Sequence, residues 1–137
     1  MRSLLSNFRY SCLIISFCLV IVQNSKATDW PTFRGSDRTG IAPDTDLLEA
    51  WPEDGPRLVW RSKGAGRGYA SLALVGNRIF TLGDGPSTAS DADEYLSCFD
   101  RATGKPIWHT RTGEAWNSGK DDWQGSRSTP TIADGIV

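Results

Sequence analysis

The stretch "CFDRATGKPIW", residues 98–108, decides how the rest of the chain is interpreted. An alternating apolar run, "EYLSCFD" at 94–100, meets a second run, "KPIWHTR" at 105–111, across the four residues "RATG". Gly104 can supply the left-handed residue that a tight turn requires. The stretch therefore predicts an antiparallel hairpin whose second strand carries Trp108.

A second predicted hairpin lies just upstream. "SLALV" at 71–75 meets "RIFTL" at 78–82 across Gly76-Asn77, a two-residue connection that suits a primed turn. Helical spacing is not sustained over any window of a dozen residues, and short β-rich runs between Gly and Pro signals dominate. We expect an all-β chain in which residues 71–111 form a four-stranded antiparallel meander.

The predicted unit repeats in part. "STPTIADGIV" at 128–137 overlays "ASLALVGNRI" at 70–79 with an offset of 58, and "PRLVW" at 56–60 overlays the strand of Trp108, placing Trp60 on Trp108 with an offset of 48. The difference between the two offsets falls in the loop after the tryptophan, and loops absorb insertions at little cost. The period is typical of a β-propeller blade. Residues 56–137 then hold about one complete blade and parts of two others, the next blade beginning near residue 128.

The spacing Asp100-x-x-Thr103-Gly104-x-x-x-Trp108 resembles the tryptophan-docking repeat of pyrroloquinoline-quinone (PQQ)-type β-propellers. This family includes the quinoprotein alcohol dehydrogenases and the propeller of the bacterial outer-membrane assembly machinery. The opening "DWPTFRGSDRTG" at 29–40 is similar to exported propeller proteins of planctomycete-like bacteria. In the family's usual pattern, an alanine stands where this chain has Cys98.

The resemblance implies a β-propeller of four-stranded antiparallel blades. It implies that Asp100 and Thr103 hydrogen-bond the backbone of their own turn, while Gly104 takes a conformation that other residues avoid. Trp108, and Trp60 in the preceding unit, would wedge between adjacent blades. These residues are blade-docking residues, and the motif itself binds no quinone.

The N-terminus is interpreted as a secretory signal peptide over residues 1–27. Arg2 and Arg9 precede a 12-residue apolar run at 11–22, and Ser25 and Ala27 are small residues at the positions before the predicted cut. The run is shorter than the roughly 20 residues that span a bilayer. We expect cleavage after Ala27, a periplasmic or secreted protein, and no stable membrane span afterwards.

Removal of the leader leaves an acidic chain with a single cysteine. The leader holds three basic and no acidic residues, so 12 basic and 16 acidic side chains remain, for a net charge of −4. Without a Lys/Arg cluster, nucleic-acid binding is not expected. Cys98 then has no disulfide partner in the chain, and we interpret it as a small, half-buried strand residue rather than a reactive thiol.

Three local patterns suggest chemistry but have simpler structural interpretations. "GAGRG" at 64–68 is similar in composition to a phosphate loop, yet a strand follows it instead of a helix, which favours a blade connection. The acidic run at 84–94 does not have the ligand spacing of a calcium loop, which favours a solvated loop. His109 has no second histidine in the chain and is interpreted as an outward strand residue. No metal site is expected.

Two other segments are candidates for binding. In the long loop at 114–128, we single out Trp116, Asp121, Asp122, Trp123 and Arg127 as a candidate partner or ligand loop. The alternative is that its tryptophans cover the neighbouring blade. Residues 28–55 form an N-terminal arm whose aromatic cluster is interpreted as a latch onto the last blade, in preference to a peptide-like partner motif.

The number of blades in a propeller bears on how much of the protein this sequence represents, and therefore on its expected function. A ring closes with about four to eight blades, so the sequence is expected to be the N-terminal piece of a longer protein. The favoured function is an exported, non-catalytic binding or scaffold module for a protein or a carbohydrate-like ligand. The alternative is a PQQ- and calcium-dependent quinoprotein oxidoreductase whose catalytic blades lie beyond Val137. No catalytic residue or cofactor is assigned to this chain, because neither the vicinal cysteine pair nor the metal ligands of the enzymes can be placed on it.

Overall fold

The structure is a computed structural model that describes residues 27–85, 93–116 and 125–137. Across these ranges it contains β-strands and no helix. The four strands are β1 (Ala73–Val75), β2 (Arg78–Gly83), β3 (Asp93–Asp100) and β4 (Pro106–Glu114). They form one antiparallel sheet in the order β1-β2-β3-β4. The predicted all-β class and the four-stranded antiparallel meander are confirmed.

The strand ends differ from the expected ones for local reasons. β4 continues to Glu114, beyond the predicted end at residue 111, because its pairing with β3 shifts at Glu94/Tyr95 and then resumes. A second shift at Cys98/Phe99 lies beside the turn. Such bulges increase the local twist of a strand pair.

Between β1 and β2, Gly76 alone has a positive φ, 55°, which is the φ pattern of a type II′ turn.

One face of the sheet carries an apolar row. Ala73, Phe80, Cys98 and Trp108 are neighbours in the strand register, and the first three are buried. Ile132, from the C-terminal segment, packs against this row.

Cys98 is fully buried and not half-buried as expected, because β2 and β4 flank it. Burial raises the pKa of its thiol, and Arg78 opposes this rise by a smaller amount.

The opposite face carries Ile79, Thr81, Ser97 and Phe99, all buried. A small apolar cavity of about 140 Å³ lies between this face and the segment that runs from Trp60 to Ala65, which lies over it. Both faces of the sheet are thus covered in part by chain from outside the four strands, one face by the preceding segment and the other by the following one.

The N-terminal arm joins the sheet at its β1 edge. Trp30 and Leu74 exchange two backbone hydrogen bonds, of 2.7 and 2.9 Å. The amide of Ile132 donates to the carbonyl of Pro31 at 2.9 Å. The arm therefore contacts β1 and the C-terminal segment of its own chain. The described residues contain no helix with the length and apolar character needed to cross a membrane.

Candidate functional site

The sheet has two chemically different ends. The turn end holds the Gly76-Asn77 turn and the turn between β3 and β4. The loop end holds the ends of β2 and β4, the start of β3, and the flanking segments 64–68 and 125–127. The predicted docking residues Asp100, Thr103 and Gly104 lie at the turn end, and the described residues of the predicted ligand loop, Trp116 and Arg127, lie at the loop end.

At the turn end, Asp100 organises its own turn. Its Oδ1 accepts hydrogen bonds from the amide of Thr103 at 2.8 Å and from the Thr103 hydroxyl at 2.7 Å. Its Oδ2 accepts from the Asn77 side chain at 2.7 Å, which ties the two turns together. The hydrogen bonds from Thr103 lower the pKa of Asp100, since they stabilise the charged carboxylate.

Trp60 docks on this turn. Its Nε1 donates to the carbonyl of Arg101 at 3.0 Å, and its ring lies over Gly104, where an added Cβ would lie within 3.0 Å of three ring atoms. Gly104 also has a φ of 69°, a conformation that L side chains rarely adopt. The structure thus brings together four of the five predicted docking residues: Trp60, Asp100, Thr103 and Gly104.

Trp108, the fifth, lies on the other face of the sheet. Its ring is tilted against Phe80, with centroids 6.0 Å apart, and the residue is 36% exposed. A groove lined by Phe80, Trp108 and Ile132, among others, adjoins it on this face. Trp108 thus lies on one face of the sheet, while Trp60, from the preceding segment, lies on the other face and docks on the turn that Asp100 organises.

We expect acid to remove the stabilisation that the ionised Asp100 gives to its turn. Because the folded pKa of Asp100 is lowered, its contribution to stability is present above its unfolded pKa of about 4 and is lost as the pH falls through the lower, folded value. In Thr103→Ala, the pH midpoint of the Asp100 titration should rise toward the unfolded pKa. NMR of the Asp100 carboxyl carbon measures this midpoint. Thr112→Ala, whose hydroxyl contacts Glu94 instead, is the control and should leave that midpoint unchanged.

Gly104→Ala should destabilise the chain much more than Gly76→Ala. Both glycines have positive φ, but an alanine at 76 would meet nothing within 4 Å, whereas one at 104 would meet the Trp60 ring. We expect a loss of about 1 kcal/mol for Gly76→Ala and about 3 kcal/mol or more for Gly104→Ala, measured by urea unfolding. Equal losses would show that the Trp60 contact does not constrain the turn.

At the loop end, the glycine-rich segment 64–68 holds a buried carboxylate. Asp84 is 2% exposed and accepts from both the backbone amide and the Nε of Arg67. A Cβ on Gly66 would lie 2.7 Å from the Asp84 amide, so this close approach requires glycine. The segment contacts a carboxylate of its own chain.

A second carboxylate ties three segments of the loop end together. Glu94, at the start of β3, accepts from the hydroxyl of Thr112 on β4 at 3.1 Å and from the hydroxyl of Ser126 in the C-terminal segment. The amide of Tyr69 donates to the carbonyl of Ser126 at 2.6 Å. Ser126 is 2% exposed. Asp84 and Glu94, the two described ends of the acidic run 84–94, are thus bracing residues, and residues 86–92 lie outside the described ranges.

The candidate ligand loop is described at its base. Trp116 is 50% exposed, and the guanidinium carbon of Arg127 lies 4.4 Å from the centroid of a Trp116 ring. The amide of Gly125 donates to the carbonyl of Trp116 at 3.1 Å and closes the loop. Asp121, Asp122 and Trp123 lie outside the described residues. Of the five predicted residues, the structure brings Trp116 and Arg127 together.

His109, which was expected to point outward, contacts two residues of β3. Its Nδ1 lies 2.8 Å from the hydroxyl of the fully buried Ser97, its direct neighbour across β3 and β4, and its ring meets Phe99 edge-on. A serine without solvent access cannot meet a substrate, so the pair is a strand contact. Within the described residues, no group of three or more His, Cys, Asp or Glu side chains could hold a metal ion.

Sequence reasoning missed Arg67, Asp84, Glu94 and Ser126 as a group. The signal available was the spacing of small residues: Asp84 stands between Gly83 and Gly85 at the end of β2, and glycines also flank Arg67. Closely spaced glycines indicate that two backbones approach each other closely. Here the two backbones belong to segments that are far apart in the chain.

Arg67→Ala should cost about 2–3 kcal/mol of unfolding free energy, because it leaves the buried Asp84 carboxylate with the Arg67 amide but without the guanidinium. Arg57→Ala, at an exposed position, is the matched control and should change stability by less than about 0.5 kcal/mol. Urea unfolding followed by tryptophan fluorescence measures both. A loss no larger for Arg67→Ala than for Arg57→Ala would contradict the bracing role.

Comparison of the chain with models of protein families, with curated proteins and with solved structures finds no match.

Proposed function

We propose that this sheet is one blade of a PQQ-like β-propeller and that the chain works as an exported, non-catalytic binding or scaffold module. The carrying observation is the exposed Trp116 ring at the loop end of the sheet, with the guanidinium carbon of Arg127 4.4 Å from the ring centroid. The blade interpretation and the binding interpretation have separate support.

The docking of Trp60 supports the blade. In the sequence overlay Trp60 and Trp108 occupy equivalent positions of successive units, and Trp60 contacts the Asp100 turn of the unit that follows it. By the same rule Trp108 would contact the equivalent turn of the next unit. The side chains of Leu58, Val59 and Ile107, which flank the two tryptophans, are 68%, 71% and 43% exposed and would gain cover from such neighbours.

The loop end supports ligand binding. Trp116 offers a flat apolar surface with an N–H donor, and the planar guanidinium of Arg127 lies over one of its rings. A ligand with an apolar face and several acceptor oxygens fits this pair, which favours a carbohydrate-like ligand. Loops on a rigid scaffold are also where proteins most often carry binding residues.

The bracing roles of the carboxylates favour a non-catalytic module. Asp84, Glu94 and Asp100 each accept at least two hydrogen bonds from their own chain. A general base or a metal ligand needs free acceptor positions directed at a substrate or ion. The alternative, a PQQ- and calcium-dependent oxidoreductase, would have to use other carboxylates.

The ligand proposal is tested by calorimetric titration of the purified chain with chitohexaose, cellohexaose and maltohexaose. We expect at least one of them to bind, and Trp116→Ala to weaken that binding about ten-fold through loss of the stacking surface. Trp51→Ala, which removes a tryptophan that is 69% exposed on the arm, is the matched control and should bind as the wild type does.

Binding that falls equally in both variants would contradict the assignment of Trp116, and no heat with any of the three sugars would contradict the carbohydrate class. A parallel sample receives PQQ and calcium. A bound-quinone absorption spectrum with dye reduction would favour the oxidoreductase over the binding module.

A further inference from the structure

The predicted cleavage point of the leader lies in a firmly held part of the structure. The amide of Thr28 donates to Oδ1 of Asp44 at 2.9 Å, and the Thr28 hydroxyl lies 3.3 Å from the same oxygen. On the other side of the junction, a guanidinium nitrogen of Arg101 donates to the carbonyl of Ala27 at 3.2 Å. Asp29 accepts from the amide of Gly76 at 2.9 Å. Residues 27–29 are therefore fixed to three separate parts of the chain.

Leader removal would change the chemistry of one of these contacts. Hydrolysis breaks the bond between the Ala27 carbonyl carbon and the Thr28 nitrogen; water supplies a hydroxyl to Ala27 and a proton to Thr28. The Thr28 nitrogen, a neutral amide donor before the cut, becomes an amine that is largely protonated at neutral pH. Its neighbour at 2.9 Å is a carboxylate.

We propose that Asp44 is the receptor for the new N-terminus created by cleavage between Ala27 and Thr28. The Thr28 ammonium and the Asp44 carboxylate form an ion pair that exists only in the processed chain. This pair holds residue 28 two positions before Trp30, whose backbone joins the β1 edge. The proposal rests on the export included in the proposed function and adds a receptor residue for the processed terminus.

Three other charged side chains, Asp29, Asp37 and Arg101, lie near Thr28. Asp29 and Asp37 line the same cavity of about 400 Å³ as Thr28 and add negative potential. Arg101 opposes the ammonium, but Asp29 lies 4.0 Å from its guanidinium and partly balances it. Asp44 makes the direct contact, and Coulomb energy falls with distance, so the carboxylate dominates.

The experiment uses the full chain with its own leader, produced in an exporting Gram-negative host. The periplasmic protein is sequenced from its N-terminus and is expected to begin at Thr28. Its α-amine is then acylated at pH 7.5 with a limiting amine reagent, and the rate is read by peptide mass spectrometry relative to Lys105. The ion pair stabilises the protonated amine, which does not react with the reagent. The α-amine of Asp44→Asn should therefore be acylated about two- to five-fold faster than that of the wild type.

Asp46→Asn, two residues away, is the matched control and should react as the wild type does; Asp44→Glu, which keeps the charge, should stay closer to the wild type than Asp44→Asn. In urea all four chains should react alike, so a difference seen only without urea belongs to the folded chain. An N-terminus other than Thr28, or equal rates for Asp44→Asn and Asp46→Asn, overturns this inference alone. Retention of the chain in the cytoplasm contradicts the export proposal itself.

Discussion

The contact between Trp60 and the turn of Arg101 and Gly104 is the constraint on which the turn end depends. The indole can lie on the turn only because residue 104 has no side chain, and its hydrogen bond fixes the Arg101 carbonyl. The Arg101 side chain then reaches the carbonyl of Gly76 and lies 4.0 Å from the carboxylate of Asp29, so the same residue connects both turns and the N-terminal arm. Three segments distant in sequence are joined through one residue whose backbone the tryptophan holds.

The loop end is held by a different physical principle. There the glycines of segments 64–68, 83–85 and 125 allow backbones to approach closely, and two carboxylates, of Asp84 and Glu94, satisfy donors that this approach would otherwise leave buried. Buried polar groups are costly unless paired, so the bracing is required once the segments are this close. Trp116, by contrast, is 50% exposed, and the Arg127 guanidinium lies over its ring.

The sequence predicts local features of this fold well and distant contacts poorly. The strands of both hairpins follow from period-two alternation and from turn residues such as Gly76 and Gly104, which act within a few positions. A docking role for Trp60 was accessible because the motif repeats, although the turn on which Trp60 docks was not. The contact between Arg67 and Asp84 was not, since neither a period nor a spacing links residues on two different loops. Cys98 was placed in a strand, but its full burial depends on the packing of β2 and β4, which composition does not reveal.

The distribution of charge also constrains what chemistry this sheet can support. Asp84, Glu94 and Asp100 each accept hydrogen bonds from donors of their own chain, and the free energy of those contacts would be lost if the carboxylate turned toward a substrate or an ion. A catalytic role for Asp84 or Glu94 would therefore loosen the same loop end that has to present the site. A binding role for Trp116 has no such conflict, because a ligand can cover its exposed face while the described contacts of Asp84 and Glu94 stay in place. The same rigidity that argues against chemistry at these carboxylates is what a binding surface needs.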